Sequence, residues 1–181
     1  TAAPWEYIGT QGGSGGQLTG EPVKILNWNL HNFFDTIEDP TNTEDDAISQ
    51  NEYDAKLGAI VDILAELDPD VMVFAEVENE GILDDINASL GGSYVDKSIL
   101  PGNDPRGVEI AALSKIPFSN VVSHLGETFV VQGTVAPEYT WTRDLVEYHF
   151  SVGDQDVVLL GVHFKAKGPP DVPDRRLAEA Q

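Results

Sequence analysis

Cysteine is absent from the 181 residues, so the chain has no disulfide framework, no thiolate metal site and no thiol nucleophile. Basic residues are scarce: 10 Lys and Arg stand against 31 Asp and Glu, a formal net charge of −21. That balance excludes the basic footprint by which most nucleic-acid binders hold a phosphate backbone. An acidic protein suited to high salt, or one that meets a polyanion through bridging divalent cations, remains compatible with it. Long apolar runs are missing too, and no stretch approaches the ~20 residues of a membrane span. The first residue is Thr rather than Met, so a soluble chain, trimmed or processed, is expected. What is present suffices for one core: a hydrophobic content of 41% with three Trp argues against disorder.

Residues 10–20 (TQGGSGGQLTG) carry too little side-chain area to offset the entropy of ordering them. Residues 1–22 therefore read as a flexible Gly/Ser-rich linker, and the folded unit as 23–181. A run of β-formers at 23–30 follows Glu21-Pro22 and predicts a buried strand. The acidic segment 35–49 has no apolar period and predicts a loop. Leu57, Ile60, Val61, Leu64 and Leu67 recur at helical spacing, which predicts an amphipathic helix over 51–67 that Asp68-Pro69 ends. Residues 71–75 predict a short apolar strand, and 82–90 a second helix closed by Gly91-Gly92 in the left-handed conformation. Strand, helix, strand, helix implies α/β layers. Strands follow at 108–114, 118–124, 145–152 and 157–164, the last two joined by a turn at 153–155. Asp174 is placed to cap a final helix from Arg175 onward. No internal repeat is found.

Three polar residues stand at the ends of strong strand signals, where α/β folds place their sites: Asn29, Glu76 and His163. Singly, each has a plainer reading, as a turn-former, a helix N-terminal charge and a core histidine. Together they suit phosphoryl chemistry. Magnesium prefers one or two carboxylates and keeps several waters, so one Glu with a nearby amide can hold it against a phosphate. The metal offsets charge growing in the transition state, and a His can donate a hydrogen bond to it. Zinc would want clustered ligands, and His31, His124, His149 and His163 show no such spacing. In the acidic loop, Asp35, Glu38, Asp39, Glu44, Asp45 and Asp46 offer oxygens to Ca²⁺, but Pro40 interrupts them and the EF-hand spacing is missing, so a solvated loop is favoured.

The same residues sit in longer strings. Residues 24–35 (KILNWNLHNFFD), 71–79 (VMVFAEVEN), 104–114 (DPRGVEIAALS), 142–145 (TRDL) and 160–167 (LGVHFKAK) occur in this order. As an ordered set they resemble the N-terminal part of the endonuclease/exonuclease/phosphatase (DNase I-like) family, in its secreted bacterial, nuclease-like subgroup; Ala75 replaces the Gln usual before the Glu. The resemblance implies a four-layer α/β/β/α sandwich cut at its C-terminal side. It implies that Glu76 ligates Mg²⁺ or Mn²⁺, that Asn29 orients the phosphate or a metal-bound water, and that His163 contacts the scissile phosphate. Arg143 becomes a phosphate clamp, for which an ion pair with Asp144 or Glu147 is an equal alternative. The resemblance also implies that Lys165 and Lys167 reach toward substrate, for which solvated lysines after a strand are the plainer alternative, that Arg106 is structural, and that Glu78 and Asn79 belong to the subgroup's motif, Glu78 as a supporting or capping group.

Family members also carry a later Asp-x-Asn element and a terminal Asp-His pair. Neither follows His163, after which 181 − 163 = 18 residues remain, and Asp171 and Asp174 in a Gly/Pro-rich loop are poor substitutes. The expectation is a fragment, poorly active and aggregation-prone unless a second chain supplies the missing half of the domain. The resemblance implies a secreted, metal-dependent endonuclease acting on DNA or RNA. A phosphatase or phospholipid phosphodiesterase on the same scaffold, or an inactive partial domain serving in binding, are its alternatives.

Overall fold

The computed structural model describes residues 22–40, 46–131, 133, 135, 137–167 and 173–180. The linker, apart from Pro22, lies outside the described residues, as do Glu44, Asp45 and Asp171. In chain order the elements are β1 (Ile25–Phe33), α1 (Gln50–Leu67), β2 (Val71–Val77), α2 (Glu80–Ser89), β3 (Asp96–Ile99), β4 (Glu109–Ser114), β5 (Asn120–Ser123), β6 (Thr128–Phe129), β7 (Tyr139–Thr140), β8 (Leu145–Val152), β9 (Gln155–Val162) and α3 (Pro173–Glu179).

The helices begin and end where side-chain chemistry tells them to. Ser49 opens α1 with a reciprocal box: its Oγ accepts from the Glu52 N–H, and Glu52 Oε2 accepts from the Ser49 N–H at 3.0 Å. Asp68, left-handed, closes it, and Pro69 cannot continue it. Asn79 caps α2 by accepting from the Ile82 N–H. Its far end is a Schellman motif, with Gly92 N–H donating to the Asn87 carbonyl at 2.8 Å and Gly91 N–H to that of Ala88 at 3.0 Å. Gly91, at φ 83°, takes the left-handed position that a side chain would strain.

Two sheets face one another. The first has the order β1-β2-β4-β3, with β1 parallel to β2 and the other pairs antiparallel; the second is the antiparallel set β5-β8-β9. Strand β2 is buried on both faces, as its unbroken apolar run requires. On one side Met72 and Phe74 pack with Tyr53, Ile60 and Leu64 of α1 and Ile82, Leu83 and Ile86 of α2. On the other, Val73 meets Ile110, Ala112, Val146 and Tyr148 between the sheets. Helix, sheet and sheet thus make three layers, while Val158 and Leu160 on the outer side of the second sheet are 50% and 53% exposed.

Gly161 lets the sheets close. A Cβ there would lie 3.0 Å from each of Val73 Cγ1, Ile110 Cγ2 and Tyr148 Cε2. Gly161→Ala is expected to destabilise the protein by ~1–3 kcal/mol through overpacking, read as a lower urea midpoint at unchanged m-value. A wild-type midpoint would show that the two sheets can part without cost.

Several sequence expectations need adjustment. The first strand does not stop at Leu30 but runs to Phe33 through a bulge. Asp174 sits in the first turn of α3 rather than capping it, because the helix starts at Pro173, a residue whose fixed φ suits a first turn. Strands β3, β6 and β7, of four, two and two residues, are too short to show a period.

Candidate functional site

The bulge in β1 makes the site. The β1–β2 ladder pairs Asn29 with Ala75 and next pairs Phe33 with Val77, so residues 30–32 oppose Glu76 alone. Three non-glycine residues are left-handed there: His31 at φ 57°, Asn32 at 53° and Glu76 at 64°. Such conformations cost ~1–3 kcal/mol each and persist only where surroundings hold them. The Lys56 ammonium, from α1, donates to the carbonyls of His31 and Asn32 at 2.7 and 2.8 Å. The kink turns the Asn32 N–H onto Glu76 Oε2 at 2.9 Å.

The other oxygen of Glu76 is less engaged. Arg106 Nη2 and His163 Nε2 each stand 3.5 Å from Oε1, at the limit of hydrogen bonding. Asn29 hydrogen-bonds the Glu76 carboxylate through its side chain and accepts the His31 N–H on Oδ1 at 2.7 Å. Burial works to raise the Glu76 carboxyl, but the bonds from Asn32 and Asn29 and the nearby Arg106 charge outweigh it, and the net shift is downward. Glu76 is thus ionised at neutral pH. Asn29, Glu76 and His163, spread over 134 positions of sequence (163 − 29), share one rim of the paired sheets.

His163 lies just past β9. Burial, then Arg143, lower its pKa below the ordinary histidine value, against the upward pull of Glu76 and Asp104. The folded protein therefore prefers neutral imidazole. Its contribution to stability is complete above the unfolded value of about 6.5 and declines as pH falls below it. In metal-free protein, the His163 ring signals are expected to titrate below that of a free histidine, and lower still in Glu76→Gln. An upward shift in that variant would contradict the pairing.

Arg143 does not pair with Asp144 or Glu147. Its Nε donates to Asp104 Oδ2 at 2.6 Å and its Nη1 to the Phe164 carbonyl at 3.0 Å. Asp104, whose side chain is 2% exposed, also receives Arg106 in a fork, Nε to Oδ1 at 2.9 Å and Nη2 to Oδ2 at 2.7 Å. Arg106 Nη1 reaches Asn32 Oδ1 at 2.5 Å. The structural role expected for Arg106 is therefore exercised inside the site, where one guanidinium links Asp104, Asn32 and Glu76. Lys165, two residues beyond His163, donates its backbone N–H to Glu179 Oε2 at 2.8 Å. Sequence reasoning did not single out Asp104, Asn32 or Glu179.

The acidic-loop residue Asp35 is occupied locally. Its N–H donates to Glu78 Oε2 at 2.5 Å, Oδ1 accepts the Ile37 N–H at 2.6 Å, and Oδ2 accepts from Asn79 Nδ2 at 2.8 Å. Glu78 and Asn79 thereby anchor the loop. Among the described residues, no cluster of three or more His, Asp or Glu side chains is arranged to cage a metal. A cation at Glu76 would have one carboxylate, the water-rich coordination that suits magnesium, with Asn29 spending its amide on holding that carboxylate. Nor is any helix among the described residues long and apolar enough to cross a membrane.

No family model matches the sequence, and neither does any curated protein. Solved structures do. An endonuclease/exonuclease/phosphatase family protein from Leptotrichia buccalis superposes with a TM-score of 0.52 at 14% identity, over 81% of this chain and 55% of that one. An endonuclease/exonuclease/phosphatase from Beutenbergia cavernae gives 0.50 at 17%, over 81% and 39%. A β-hairpin deletion mutant of the β toxin of Staphylococcus aureus gives 0.50 at 14%, over 86% and 55%. The chain spans about half the length of these structures or less. By its layers and these superpositions, it is part of a mixed α/β fold of the DNase I-like, endonuclease/exonuclease/phosphatase type.

Proposed function

We propose that the chain is the Asn/Glu/His portion of a divalent-metal-dependent phosphodiesterase, a secreted bacterial endonuclease acting on DNA or RNA. The observation that carries this reading is the meeting of Asn29, Glu76 and His163 at one rim, with Glu76 Oε1 held by no short hydrogen bond. Mg²⁺ or Mn²⁺, when bound at Glu76, would offset the charge growing on the phosphoryl oxygens. Asn32 and Asn29 fix the carboxylate, so little reorganisation is needed when charge develops. His163, neutral, offers an N–H to a phosphate oxygen. Arg143 spends Nε and Nη1 on protein acceptors, which leaves three of its five N–H groups for a phosphate. Lys165, two residues past His163 in sequence, would bring a second cationic side chain for the phosphate.

A polyanionic substrate and a chain of net charge −21 repel each other, so the divalent ion also serves the encounter. The chain spans about half the length of the matched structures or less, and the activity proposed is that of a whole domain. The test therefore uses the full-length polypeptide: supercoiled plasmid, with Mg²⁺ and then with EDTA. Nicking that EDTA abolishes is expected. Release of phosphate or phosphocholine from small esters without nicking would move the assignment to a phosphatase or phospholipid phosphodiesterase, and no hydrolysis at all would leave a binding domain.

A further inference from the structure

The ladder between β8 and β9 ends on the pair Leu145 and Val162. Beyond it the strands part, and the residues that part are those of the site: Thr142 and Arg143 on one side, His163 to Lys165 on the other. Two backbone donors flank this gap, the N–H groups of Thr142 and Lys165. They donate to the two oxygens of one carboxylate, Thr142 to Glu179 Oε1 at 3.0 Å and Lys165 to Glu179 Oε2 at 2.8 Å.

Glu179 is 4% exposed and is the last residue of α3. A carboxylate in the last turn opposes the helix dipole, so the helix itself does not account for it. Burying it costs free energy unless its oxygens are hydrogen-bonded, and the two N–H groups meet that need. Each oxygen serves a different segment, one leading into β8 and one leaving β9, so the carboxylate acts as a spacer of fixed width where the ladder stops.

We propose that Glu179 is a positioning residue: it sets the separation of the Arg143 and His163 segments, and so keeps the His163 imidazole on Glu76 and the Arg143 guanidinium on Asp104. This rests on the phosphodiesterase reading. Arg143 ties the same two segments directly through the Phe164 carbonyl, at 3.0 Å. That tie runs through a long side chain whose remaining N–H groups would also meet a substrate phosphate. The Glu179 tie uses backbone donors, which no substrate takes, so it holds the gap independently of where the guanidinium is drawn. Glu179 is the acceptor for both segments and touches no reacting atom.

The test compares Glu179→Ala and Glu179→Gln with the unsubstituted full-length protein. Bis(p-nitrophenyl) phosphate with Mg²⁺ is the substrate, and amide exchange at Thr142 and Lys165 is followed by NMR. Removing both acceptors in Glu179→Ala should speed exchange at both amides by roughly tenfold or more. It should lower kcat per folded molecule by about 10²-fold, the scale set by a small misplacement of reacting groups. Glu179→Gln keeps one acceptor oxygen, so one of the two amides should stay protected and the rate should fall between the other two. A purely structural role would lower the melting temperature and the folded fraction without changing kcat per folded molecule. That result, or wild-type kcat in Glu179→Ala, overturns the proposal. If the unsubstituted protein hydrolyses no phosphodiester, the hydrolase reading fails and takes the positioning role with it. If that protein turns over and Glu179→Ala matches it, the positioning role alone fails.

Discussion

Glu76→Gln is expected to lower kcat/KM for phosphodiester hydrolysis by roughly 10²- to 10³-fold while costing about 1 kcal/mol of stability or less. The asymmetry follows from what the carboxylate does in the fold. Gln at this position can still accept the Asn32 N–H through its side-chain oxygen, and Arg106 keeps its fork on Asp104. What disappears is the negative charge facing Arg106 and His163, the charge that a divalent cation would require. Apparent Mg²⁺ affinity should fall together with kcat/KM, and urea titration should give a near-native midpoint. A variant that keeps its rate within a few-fold, with EDTA still abolishing it, would place the cation on another group and sink the assignment of Glu76. Unfolding in step with loss of rate would show instead that the charge holds the bulge.

The difference between those outcomes reflects which parts of the site were legible in the sequence. Asn29, Glu76 and His163 were visible because each ends a run of β-formers, and strand ends gather at the rim of a layered fold. Helices α1 and α2 were visible from the spacing of Leu57, Ile60 and Leu64, and from Gly91-Gly92. The bulge was not. His31 and Asn32 read as polar residues after a strand, and nothing in a Glu between Ala75 and Val77 signals a left-handed backbone. That conformation is imposed by register: three residues of one strand must fit against one of its neighbour.

Partners chosen by tertiary distance were equally hidden. Arg143 has Asp144 beside it in sequence, yet takes Asp104, 39 positions away, because Asp144 is buried among its own donors, the Ser123 hydroxyl and the His124 N–H, and the buried Asp104 carboxylate needs a partner. Asp104 could have been suspected from its place in Asp104-Pro105-Arg106-Gly107. There Pro105 sets a turn, and the short reach back from Arg106 to a carboxylate two residues earlier completes a local fork. Glu179 offered no such signal. A Glu near the end of a charged helix reads as a solvated face, and only the meeting of α3 with both strand ends shows that it is buried.

Asp104→Ala is expected to be the most destabilising substitution at the site, by about 3–5 kcal/mol, because it leaves two guanidinium groups in a mostly buried pocket without their shared acceptor. The side chains of Arg106 and Arg143 are 26% and 11% exposed, so water can solvate them only in part. Loss of activity should exceed what unfolding explains, since Arg106 would also lose the anchor from which it holds Asn32. The pH dependence gives an independent check. Burial works to raise the Asp104 carboxyl, but hydrogen bonds from Arg106 and Arg143 and the charge of Arg143 outweigh it and hold it well below the usual carboxylate range. A lowered folded pKa means that the stabilisation is complete above the unfolded value of about 3.9 and is lost as pH falls from there toward the folded value. The stability difference between wild type and Asp104→Ala should therefore stay constant from neutral pH to about pH 5 and shrink below about pH 4. Urea titrations at several pH values measure it, and a difference that persists undiminished into strong acid would mean that Asp104 acts through packing rather than through its charge.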